Sequence, residues 1–74
     1  MTEERTYPPH AQRLLTERAE LYRKEILLDA FIEENEQFPK LEDGEQRLIK
    51  EQLRLMQEYR IILEKRINIE EKRM

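Results

Sequence analysis

Between Asp43 and Lys72 the chain carries two apolar rows offset by one residue, a wider greasy surface than one partner helix can cover. At about 100° per residue, Leu48, Gln52, Leu55, Tyr59, Ile62, Arg66 and Ile69 fall on one stripe with alternating three- and four-residue spacing. Ile49, Leu53, Met56, Leu63 and Ile67 form the second. One row can bury a sister helix from the same chain. The other requires a further helix, and in a chain with only two helices that helix must come from another molecule.

The sister helix precedes it. From Pro9 to Asn35 there is no glycine or further proline, and most residues are good helix formers. Leu14, Leu21, Leu28 and Ile32 make one row, Leu15, Tyr22 and Ile26 lie beside it, and Leu27 and Phe31 widen it. Pro8 and Pro9 suit a helix start, and Pro39 disfavours helical geometry at Phe38. Asp43 and Gln46 have the spacing of a capping box, although Gly44 is a poor helix former and the start could equally lie at Leu41. The expected organisation is a flexible arm over 1–8, a helix over 9–35, a loop over 36–42 and a helix over 43–72. So short a connection makes the helices antiparallel.

The expected fold class is therefore all-α: a two-helix antiparallel hairpin assembling into an oligomeric helical bundle. A dimer is the minimum and a tetramer the larger alternative. Leu48, Ile49, Leu55, Met56, Ile62, Leu63 and Ile67 are the expected oligomer contacts. Size points the same way, because 74 residues sit near break-even between apolar burial and chain entropy. Disulfides cannot help, since there is no cysteine, and with His10 as the single histidine a metal site is not expected.

Composition also narrows function. No apolar run approaches the roughly 20 residues that span a bilayer, and Met1 to Thr6 lacks the apolar stretch of a signal peptide, so a soluble cytoplasmic protein is expected. A net charge of -3 argues against the basic footprint that DNA requires. Serine and cysteine are both absent and there is no glycine-rich phosphate loop, so neither an enzyme nor a cofactor is expected and no catalytic residue is assigned.

Four polar residues interrupt the apolar rows: Arg18 and Glu25 in the first helix, Gln52 and Arg66 in the second. Arg18 with Glu25, or Arg66 with one of many glutamates, can form ion pairs, and Gln52 can set register as polar seam residues do. Folding about Pro39 also brings Arg18 and Leu21 roughly level with Tyr59 and Ile62, and Leu14 with Arg66. Arginine offers phosphate a planar fork of donors, tyrosine offers a base a stacking face, and glutamine pairs with a base edge. Arg18, Gln52, Tyr59 and Arg66 are thus the leading candidates for binding a nucleotide. Tyr22 or the arm residue Tyr7 would be a second stacking ring, and Glu25 would orient an arginine or accept from a base. Tyr59 taken alone is more often an amphipathic core residue than a stacking platform.

From Gln12 to Ile67 the chain resembles a family of very small bacteriophage proteins, named after a product of a crAss-like phage, that are helical hairpins. The resemblance is carried by Arg13, Glu17, Leu21, Leu28, Phe31 and Ile32 in the first helix. In the second it is carried by Lys50-Glu51-Gln52-Leu53, Met56, Tyr59, Leu63 and Arg66-Ile67. It implies a phage accessory protein in the infected host's cytoplasm. It also implies kinship with oligomeric sponges that trap the cyclic di- or oligonucleotide signals of bacterial antiviral systems, as anti-CBASS proteins do. Two rival readings of the same rows are a helical protein-binding module, as in anti-CRISPR proteins or host-factor inhibitors, and a structural coiled coil.

Overall fold

The computed structural model describes residues 7–73. They form α1 (Pro9–Glu34), a 3-10 turn (Phe38–Lys40) and α2 (Asp43–Arg73), with the two long helices packed against each other. Met1 to Thr6 of the expected arm lie outside the described residues. The hairpin measures 54 × 23 × 15 Å, which in cross-section is two helices side by side, each about 10–12 Å across. A slab one helix thick has one internal seam and two open faces.

Each helix end has a local cause. Pro8 is extended at φ -61° and ψ 160°, and its carbonyl accepts from the backbone N–H groups of Ala11 and Gln12 as Pro9 opens the first turn. α1 stops at Asn35, where the backbone returns to φ -84° and ψ 130° and the side-chain Oδ1 accepts the Gln37 N–H at 2.7 Å. The chain then turns through Phe38, whose buried ring meets Phe31 edge-on at 5.9 Å and lies under the Lys50 ammonium at 5.8 Å. The capping box read from Asp43 and Gln46 takes a different form. The Gln46 amide reaches back into the loop and donates to the Leu41 carbonyl at 2.8 Å and the Pro39 carbonyl at 3.3 Å. Its backbone N–H bonds to the Glu42 carbonyl.

Gly44 sits within α2, where no described glycine has positive φ, and a Cβ added there would meet nothing within 4 Å. Gly44→Ala is therefore expected to stabilise the protein by about 0.5–1 kcal/mol, chiefly through the unfolded chain. Thermal unfolding followed by circular dichroism measures it, and no rise in midpoint would count against a strain-free helical position.

The seam is built on Leu14 and Leu21 of α1 against Leu63 and Ile67 of α2, with Leu15 and Met56 packed on this cluster. Leu63 is completely buried. The row that α1 covers is thus the one containing Ile49, Met56, Leu63 and Ile67. Of the residues expected to contact another copy, Leu63 and Ile67 are buried against their own sister helix instead, while Met56 packs on the same cluster and stays partly exposed. The other row remains open: Leu48 is 71% exposed, Leu55 51% and Ile62 54%. A polar contact marks the division: Glu25, buried to 4% within α1's row, meets Arg60 of the row that α1 covers.

Candidate functional site

The seam separates the candidate binding residues into two groups. On one flank Tyr59 donates its hydroxyl to Glu17 of α1, and Gln52 and Arg66 lie on the same exposed stripe of α2. On the other flank Arg18 stands 3.8 Å from Glu64, and Tyr22 lies beside Arg60. Adjacent helical residues point about 100° apart. Glu17 and Arg18 on α1, and Tyr59 and Arg60 on α2, accordingly face opposite sides of the slab. The single strip expected from sequence is therefore two strips, with Gln52, Tyr59 and Arg66 on one and Arg18, Glu25 and Tyr22 at the other.

The second group is largely engaged within the chain. Arg60 Nε donates to both Glu25 carboxylate oxygens, at 2.7 and 2.9 Å, and Arg60 Nη1 donates to Glu64 at 2.9 Å. Its guanidinium carbon lies 5.3 Å from the centre of the Tyr22 ring. Hydrogen bonds donated to Glu25 first, and to Glu64 second, hold the Arg60 pKa above its ordinary value, so the cation persists throughout the usable pH range. Glu25 does orient an arginine, but the partner is Arg60 and not Arg18. Arg60 was legible in the sequence as the missing member of the row Ile49, Leu53, Met56, Leu63 and Ile67, whose spacing calls for a residue at position 60. Its charge hid it from a search for apolar residues. Tyr7, at the far end of the hairpin, donates its hydroxyl to Glu71 at 2.8 Å.

The first group faces open space. Leu48, Glu51, Gln52, Leu55, Met56 and Tyr59 line a groove of about 600 Å³. A neighbouring groove of about 500 Å³ shares Gln52 and Met56 and continues across to Lys24 and Leu27 of α1. Both grooves are shallow and open, and both are walled by apolar side chains with a few polar groups. Among the described residues Arg66 and Gln52 have no ion pair or side-chain hydrogen bond, so their donors point outward unengaged. Next to them Arg54 bridges Glu51 and Glu58, at 2.5 and 2.8 Å, and its hydrogen bond holds the Glu51 carboxyl below the usual range. His10 pairs with Glu70 at 3.0 Å at the open end of the hairpin.

No described group of three or more histidine or acidic side chains is placed to hold a metal, and no described helix is long and apolar enough to cross a membrane. No curated protein and no solved structure matches the chain. A family model does, over residues 8–69, a span that contains both rows, the Glu25–Arg60 pair and every residue carrying the resemblance to small phage hairpins. On that match, which covers more than four-fifths of its length, the chain belongs to the Sequestin family.

Proposed function

We propose that this protein sequesters a cyclic nucleotide signal at an interface between copies, without altering it, and thereby blunts a bacterial antiviral system such as CBASS from within the infected host's cytoplasm. Membership of a family named for sequestration supports a binding role over a catalytic one. The observation that carries the reading is the open stripe of α2, where Gln52 and Tyr59 present an amide and a ring to an apolar groove and Arg66 presents a guanidinium about two turns further along the same stripe. Those are the three kinds of contact a nucleotide takes: a base edge, a stacking face and a phosphate clamp. Arg18 on the opposite flank stands only 3.8 Å from its carboxylate and could serve a second station, whereas Tyr22 and Glu25 act through Arg60.

Calorimetric titration with cyclic dinucleotides, cyclic trinucleotides and cyclic ADP-ribose isomers tests this directly. Arg66→Ala is expected to weaken the binding member at least about tenfold, near 1.4 kcal/mol, as loss of a charge-assisted contact does. Its melting temperature should stay within a degree or two of the parent, because Arg66 is exposed and makes no ion pair among the described residues. Heating the complex should return intact nucleotide. Silence across the panel would favour the rival in which the same apolar stripe docks a helix of a host protein.

A further inference from the structure

The open stripe reads almost the same in both directions. From Leu48 to Ile69 the order is apolar, glutamine, apolar, tyrosine, apolar, arginine, apolar. We infer that it pairs antiparallel with the same stripe of a second copy, about a two-fold axis near Tyr59, to make a four-helix bundle. In that arrangement, within half a helical turn, Leu48 comes level with Ile69 of the second copy, Leu55 with Ile62, and Gln52 with Arg66. A parallel pairing also matches apolar with apolar, but it sets Arg66 against Arg66 in the low-dielectric middle of the interface.

Charge along the edges of the stripe favours the same choice. In an antiparallel pair each edge meets its own counterpart, so Glu51 lies near Lys65 of the second copy, twice over. Glu58 meets itself, but each Glu58 already carries Arg54 at 2.8 Å. The axis passes α1 near Leu21, midway between Glu17, which Tyr59 meets, and Glu25, which Arg60 meets. It therefore brings Glu17 and Glu20 of one copy against Lys24 of the other. Leu27, 65% exposed on this flank, is covered at the same time. The stripe is about 32 Å long at 1.5 Å per residue, and five of its seven side chains are apolar or aromatic with at least 43% exposure.

Resting on the proposed function, this pairing also makes each ligand station composite. Gln52 and Arg66 of one chain are about 21 Å apart along α2, too far for one nucleotide to touch both. The two-fold axis places Arg66 of the second copy beside Gln52, with the two Tyr59 rings between the two stations.

The chain has no cysteine, so single-cysteine variants report cleanly. Leu48→Cys and Ile69→Cys, co-refolded without nucleotide and treated with a short bis-maleimide, should give a crosslinked dimer only when both are present. Each alone should give none, since like positions are about 32 Å apart in the antiparallel pair. Homodimers from either variant alone would establish the parallel arrangement and overturn the proposal. So would a mass of one 9.2 kDa chain in sedimentation at tens of micromolar. Gln52→Glu is an independent check at an exposed position that leaves the hairpin intact. It should tighten dimerisation severalfold by facing Arg66, whereas weakening it would contradict the pairing. All of these readouts are ligand-free, so they stand or fall separately from nucleotide binding.

Discussion

Leu63→Ala is expected to lower stability by about 3–4 kcal/mol, enough to leave much of the protein unfolded at physiological temperature. Leu63 has no exposed surface and sits where Leu14, Leu21 and Ile67 converge, so truncation removes transfer free energy and leaves a cavity. Buried leucine truncations cost about 2.7–5 kcal/mol, with the spread set by how far the surroundings collapse. A two-helix slab can relax by sliding its helices together, which keeps the value below the upper end. The total available is small, because a 74-residue chain at about 0.05–0.15 kcal/mol per residue holds only some 4–11 kcal/mol. Urea unfolding at fixed protein concentration, followed by helical circular dichroism, measures the loss. Leu48→Ala is the control: at 71% exposure it should cost the hairpin no more than about 0.5 kcal/mol and act on association instead. A loss under 1 kcal/mol at Leu63 would mean that the seam is not the core.

These two leucines also mark the limit of what the sequence discloses. Residues 43–72 announce two apolar rows, and Pro39 announces a hairpin, so the helices and their antiparallel order follow from spacing alone. Which row the sister helix takes does not follow, because Leu48, Leu55 and Ile62 are as apolar as Met56, Leu63 and Ile67. The covered row is distinguished by one polar contact across 35 residues, and apolar periodicity alone passes over the position that makes it. Arg18 was misplaced for the same reason. It shares a row with Leu14 and Leu21, but the 40° or so by which Arg18 departs from Leu14 carries it to the opposite flank from Gln52, Tyr59 and Arg66. Level along the axis was legible and side of the seam was not. At the start of α2 the Gln46 side chain turned to the Leu41 and Pro39 carbonyls, a contact set by the path of the loop that residue spacing does not encode.

If one ion pair selects the row, removing half of it and removing all of it should have opposite consequences. Arg60→Leu leaves the Glu25 side chain, 6% exposed, without its cation, and is expected to cost about 2–4 kcal/mol. The lower part of that range is reached because Arg60 is itself 23% exposed and its removal admits water. Glu25→Leu leaves Arg60 its bond to Glu64 and an outlet to solvent, so it should cost less, about 1–2 kcal/mol. The double variant puts leucine on both sides of the seam and should be at least as stable as the parent, giving a coupling energy of about 3 kcal/mol or more in the cycle. Its likeness to the parent should end at stability. Without Glu25 and Arg60, the row holding Leu63 and the row holding Leu48 offer α1 nearly equal apolar faces, and α2 can rotate by about 100° to present either. Crosslinking of paired cysteines, one on each helix, distinguishes the two packings, with position 21 tested against position 63 and against position 62. The parent should give only the first product. A double variant that keeps this single product would show that apolar shape alone chooses the row, and that Glu25 and Arg60 only satisfy each other's charge.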